Sequence, residues 1–140
     1  MRKSVATIKS PDPILTTIAA QLFVADIIAA CNFFVEKLGF AIDFVYGEPP
    51  FYGQVRRDTA RLTLRLVHEP VFVGDIRRRA DLLSASITVA TSADIRRLFD
   101  EFQAAGVTFH QALKTQAWGA LDFIVLDPDG NLILFAGPAS

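Results

Sequence analysis

The chain carries the same order of signals twice, and this duplication restricts its fold more than any other feature. Asp26 and Asp94 lie near the start of helical patterns 68 residues apart, and Gly39 and Gly106 close those patterns 67 residues apart. Asp26 stands at an N-cap position. Ile27, Cys31, Phe34 and Leu38 follow at helical spacing, and Gly39 is placed for a left-handed C-terminal residue. In the second half Thr91 and Asp94 resemble a capping box ahead of the apolar stripe Ile95, Leu98, Phe99, Phe102 and Ala105.

Strand-like runs surround both helices in matching order. Residues 14–24 precede the first helix, and 40–46, 51–57 and 60–68 follow it, divided by turn residues at 47–50 and 57–59. In 60–68 the apolar Ala60, Leu62, Leu64 and Leu66 alternate with Arg61, Thr63 and Arg65, which gives one core face and one polar face. His68 falls on the apolar side of that alternation. Residues 84–91 precede the second helix and 107–111 follow it. A hairpin then runs from Trp118 to Phe135, turning through Asp127-Pro128-Asp129-Gly130-Asn131. Trp118-Gly119 at its mouth is either a flat wall for a ligand or a core-filling aromatic.

The expected architecture is α+β: tandem βαβββ modules at 14–68 and 84–138. A connector at 69–83, with a short helix around 75–83, joins them within one domain of 1–140. Residues 1–13 form a polar arm. Each curved mixed sheet keeps one face free of a helix, and two such faces brought together enclose a trough, a natural ligand site.

Composition narrows the partners. A net charge of −1 gives no electrostatic case for nucleic acid or an anionic membrane. The one dense basic run, Arg77-Arg78-Arg79, lies between Asp75 and Asp81 and reads as a solvated face. A single cysteine, Cys31, fits a reducing compartment and sits on an apolar helical stripe as an inert thiol. With neither a signal-peptide core nor a membrane-length apolar run in this sequence, the expectation is a cytoplasmic protein. The excess of Phe, twelve residues against two Tyr, is assigned to core packing, with part of it free to line a pocket or a subunit contact.

Phe33-Phe34-Val35-Glu36-Lys37-Leu38-Gly39-Phe40, together with Trp118-Gly119 and Asp127-Pro128-Asp129-Gly130-Asn131, resembles the motifs of the vicinal oxygen chelate superfamily, the glyoxalase and bleomycin-resistance fold. Members of that superfamily known as enzymes hold a divalent metal on the first and last strands of each module. The positions that correspond here are Ala19, Leu134, Ser86 or Ile87, and Leu66 or Val67. None offers an imidazole or carboxylate donor. His110 and Glu69 have no partner at ligand spacing, and no other catalytic constellation stands out.

The resemblance therefore points to the metal-free, bleomycin-resistance-like branch. It implies a homodimer that sequesters a small molecule without a cofactor, a metal or a catalytic residue. By the same resemblance the ligand contacts fall to Asp43, Phe44, Phe51, Arg65 and Trp118. Phe51 and Trp118 supply aromatic walls, and Arg65 pairs with an anionic or carbonyl group. One residue more than the usual spacing separates Trp118 from Asp127, which leaves room for a bulge or an altered register that re-aims Trp118. Bleomycin is cationic, and Arg65 in the trough suits it poorly. The expected ligand is a small planar or aromatic molecule. The alternative reading is an enzyme of the same superfamily, of lyase, isomerase or dioxygenase type, holding a divalent metal through unconventional ligands. A third is an interaction module whose trough has closed around Phe side chains.

Overall fold

The computed structural model describes residues 11–140. The chain runs β1 (Ala20–Val24), α1 (Ile27–Leu38), β2 (Ala41–Tyr46), β3 (Tyr52–Arg57) and β4 (Ala60–Leu66). It continues through a one-turn helix α2 (Ile76–Arg79) to β5 (Ala85–Thr88), α3 (Ser92–Ala104), β6 (Phe109–Thr115), β7 (Ala120–Leu126) and β8 (Leu132–Pro138). The strands form two four-stranded mixed sheets, ordered β1-β4-β3-β2 and β5-β8-β7-β6. In each, the first strand lies parallel to the last and the other neighbours are antiparallel. The tandem βαβββ reading is the observed topology.

The helix boundaries follow from the caps. The Asp26 carboxylate accepts the Ala29 N–H at 2.9 Å, and Gly39 closes α1 at φ 73°. The Thr91 hydroxyl accepts the Asp94 N–H at 3.0 Å. The Asp94 carboxylate accepts from Arg97 at 2.6 Å, so Thr91 supplies the recorded half of the capping box.

Several strands are shorter than their apolar runs. Residues 14–19 make no strand, and Ile14, Leu15 and Ile18 are exposed. Apolar β-branched sequence suits a strand, but only a partner's backbone makes one, and β4 accepts β1 from Ala20 onward. The polar arm expected at 1–13 falls, up to residue 10, outside the described residues. The run 60–68 stops pairing at Leu66, which leaves His68 in the connector. The helix expected around 75–83 is the four residues of α2, while the strand expected at 107–111 runs from Phe109 to Thr115.

The core is continuous across both halves. Leu22, Val24, Leu62, Leu64 and Val55 face α1, where they meet Ile27, Cys31 and Phe34. Burial pushes the Cys31 thiol pKa up, in keeping with an inert side chain. Around α3 the core is aromatic: Phe123 stacks on Phe135 at 5.3 Å and meets the edges of Phe102 and Phe109. Much of the Phe excess is spent here.

The hairpin turn joins the modules. Asp129 accepts the Ala25 N–H at 2.9 Å, and the Asn131 amide donates to Phe23 O at 3.0 Å and to Asp127 at 2.9 Å. Its carbonyl accepts from Ser84 and Arg77. Arg77 is therefore half-buried, and its guanidinium lies 4.3 Å from the Phe72 ring centroid. That corrects the expectation of a solvated Arg77-Arg78-Arg79 face: one of the three is tied to the neighbouring turn. Two further links, Lys37 to Ala105 O and Arg57 to Glu101, join α1 and β3 to α3.

Candidate functional site

Each sheet has a helix on one side, so its other face decides what the module can bind. On the first sheet, strand alternation puts Leu62 and Leu64 under α1 and turns Arg61, Thr63 and Arg65 the other way. Register extends this face across the sheet in rows. Phe23, Arg65, Tyr52 and Tyr46 are successive cross-strand partners in one row; Gln21, Thr63, Gln54 and Phe44 make the next. A third row holds Arg61 and Arg56 directly opposite each other.

A β-bulge between Ile42 and Phe44 adds Asp43 to this face. Its carboxylate accepts from Gln54 Nε2 at 2.8 Å and from Arg56 Nε at 3.0 Å. These hydrogen bonds, the Gln54 one foremost, hold its pKa below the usual carboxylate value. Phe44 is 42% exposed, with its ring centroid 5.9 Å from that of Tyr52 at a tilt of 34°. Arg65 is exposed, and no hydrogen bond or ion pair holds its side chain among the described residues. Every residue of β2 is exposed.

Asp43, Phe44 and Arg65, expected as contacts, thus share one open face. Phe51 sits at the β2–β3 hairpin end, 51% exposed, with its ring edge-on to Tyr46 at 5.5 Å. Trp118 stands apart in the second module. It tops the turn between β6 and β7, is 76% exposed and makes no ring contact with the other four. It is not a core-filling side chain. The bulge for which the Trp118 spacing leaves room lies instead within β6, between Phe109 and Lys114, whereas β7 pairs with β8 in unbroken register.

The helix-free face of the second sheet differs. Ile124 is buried there, and Asp122 is 4% exposed, accepting from Gln111 Nε2 at 2.7 Å and Gln116 Nε2 at 3.0 Å. Ser86 and Thr88 are exposed beside Leu134 and Ala136. Two clefts lie elsewhere. One, of about 430 Å³, opens between the connector and the Asp129-Gly130 turn and is lined by His68, Phe72 and Arg77. The other, of about 370 Å³, lies between the β3–β4 turn and α3.

The model of the Glyoxalase/Bleomycin resistance protein/Dioxygenase superfamily matches residues 14–135. The chain belongs to that superfamily. No curated protein matches it in sequence. Among solved structures it is similar to a bleomycin-binding protein from bleomycin-producing Streptomyces verticillus, complexed with copper(II)-bleomycin. The identity is 26% and the TM-score 0.64, over 87% of this chain and 97% of that one. TioX from Micromonospora sp. ML1 is 21% identical at TM-score 0.66, covering 88% and 98%. A glyoxalase/bleomycin resistance protein/dioxygenase from Alicyclobacillus acidocaldarius is 18% identical at TM-score 0.70, covering 89% and 92%.

The superfamily's metal positions do not fit a cation in this chain. Ser86 pairs with Leu134 across β5 and β8, whereas Ala19 precedes β1 and Leu66 pairs with Val24 on the helix side of the first sheet. Alkyl and hydroxyl groups are poor donors for a divalent ion. Among the described residues no three His, Cys, Asp or Glu side chains gather at ligand distance.

Sequence reasoning passed over Tyr46, Tyr52, Gln54, Arg56 and Arg61 as site residues, although all share the face of Arg65. The alternation in β4 already marked Arg61. Cross-strand register, which the sequence does not carry, was needed for the rest. Asp122 had no sequence signal, because its partners Gln111 and Gln116 belong to another strand and its turn.

Proposed function

We propose that this superfamily member binds and sequesters a small planar or aromatic molecule without metal. The helix-free face of the first sheet is the binding surface. The observation that carries the reading is this face itself: exposed Phe44 and partly exposed Tyr52 beside polar groups, on a rigid sheet whose other side is core. Asp43, Phe44, Phe51 and Arg65 are the proposed contacts, and Trp118 is the fifth. The pairing of strands and helices is concentrated within each module. A second copy of the chain, laying its Trp118 end over the first sheet, would close the trough, so the proposed unit is a homodimer. Residues 14–68 and 84–138, joined by 69–83, would act as the two half-sites of one domain. The bleomycin-binding relative supports the ligand class and suggests a role in resistance to a toxic small molecule. Among the described residues no helix is long and apolar enough to cross a membrane, and a cytoplasmic location forms part of the proposal.

Calorimetry against a panel of aromatic compounds, before and after exhaustive chelation, tests this reading. Binding unchanged by chelator and weakened about two- to tenfold in Phe44→Ala is expected, since a ring contact contributes about 0.5–1.5 kcal/mol. Binding that requires an added divalent ion would overturn the proposal. Light scattering checks the dimer, and a strict monomer would remove Trp118 from the site.

A further inference from the structure

We infer that the ligand of the first sheet's open face is an aromatic carboxylate, oriented by Arg65 and Arg61 against the Tyr52–Phe44 ring pair. This inference rests on the proposed binding face and specifies the chemistry that face selects. Three guanidinium groups, Arg56, Arg61 and Arg65, project from it against a single carboxylate, Asp43. Arg56 and Arg61 are direct cross-strand partners, an arrangement that costs stability when like charges meet. Asp43 offsets only part of that cost, because Arg56 and Gln54 already occupy its oxygens.

Arg65 is left over. It lies between Phe23 and Tyr52 in the row, and no hydrogen bond or ion pair holds its side chain among the described residues. A guanidinium flanked by aromatic neighbours presents its planar fork to a carboxylate, which it binds in bidentate fashion. The rings that would receive the body of the ligand lie one and two strands away. At the usual strand spacing that is about 5–10 Å, the length of a bicyclic aromatic acid. The same charges repel an aromatic cation, so this face discriminates by charge as well as by shape.

The test uses the full chain and paired probes that differ only in charge: benzoate and benzamide, 2-naphthoate and 2-naphthamide, anthracene-2-carboxylate and its amide. Affinity is measured by calorimetry for the wild type, Arg65→Gln and Arg61→Gln/Arg65→Gln. Both changes are on exposed side chains, and circular dichroism confirms the fold. In the wild type at least one carboxylate should bind ten or more times tighter than its amide. Arg65→Gln should cut that preference several-fold, and the double variant should bring it within twofold, the carboxylate losing far more affinity than the amide. Equal affinity for acid and amide in the wild type would overturn the inference and leave the aromatic-binding proposal standing. A carboxylate preference that survives in the double variant would overturn the assignment to these arginines. Failure of every probe in both forms would sink the binding face itself, and the inference with it.

Discussion

On the first sheet the helix-free face exposes Arg56, Arg61, Arg65 and the Phe44 ring, whereas on the second it buries Ile124 and Asp122. The topologies match strand for strand, so backbone pairing does not explain the difference. It lies in which side chains the second layer of each strand carries. Asp43 on β2 is tied to exposed Arg56, while Asp122 on β7 is enclosed by two amides. The helix sides differ as well, aliphatic with Phe34 under α1 and a Phe cluster under α3. Duplication thus leaves two unlike helix-free faces, one open and charged, the other partly buried.

The sharpest way to break this comparison is to truncate one ring on each side. Phe123→Ala removes the centre of the aromatic cluster and should cost about 3–5 kcal/mol in urea unfolding. Phe44→Ala should change stability by less than about 0.5 kcal/mol, since its ring is partly exposed. Comparable losses in the two variants would mean that the Phe44 ring is packed as firmly as the helix-side cluster, and the first sheet's outer face would not be open as described.

Next in size is the turn that ties the halves. Asn131→Ala removes the side-chain partner of Phe23 O, Ser84 Oγ and Asp127 Oδ2 and one of the two acceptors of Arg77, and should destabilise by about 3 kcal/mol. A value below about 1 kcal/mol would show that the modules do not depend on this clamp.

A smaller effect concerns pH. Burial pushes the Asp127 carboxyl up to about 6, against hydrogen bonds from Asn131 and Asp129 that favour its charged form. The folded chain therefore holds this proton more tightly than the unfolded chain does. The resulting stabilisation is full below pH 4 and is lost as pH rises through 6, roughly 2–3 kcal/mol in all. Chemical unfolding from pH 4 to 7, with Asp127→Asn as control, isolates this contribution. A dependence of the same size in the control would assign it to other groups.

The smallest effect probes the link between β3 and α3. Arg57 donates to Glu101 at 2.7 Å and to Leu38 O at 2.8 Å, but the pair is part exposed. Arg57→Ala should cost only about 1 kcal/mol, and its Glu101 share should shrink in high salt.

The sequence carried the parts of this molecule that depend on local chemistry. The Asp26 cap, the Gly39 and Gly106 stops and the Asp127–Asn131 turn are short-range decisions made by a few side chains, and the structure places them as expected. Alternation in β4 announced both a core and a polar face. What stayed hidden depends on pairing at a distance. Ile14, Leu15 and Ile18 have strand-forming side chains but no strand beside them in the chain. Arg56 meets Arg61 only because β3 and β4 pair in one register, and the same pairing puts Tyr52 beside Arg65. Arg77 gained a role across the connector that its charged neighbours disguised.

The most direct test of the central claim is a two-dimensional amide NMR titration of the chelator-treated protein with 2-naphthoate. The account predicts saturable shifts at Phe44, Tyr52, Thr63 and Arg65, with the cleft around His68 and Arg77 unmoved. Shifts confined to that cleft, or binding that appears only once a divalent metal is added, would contradict it.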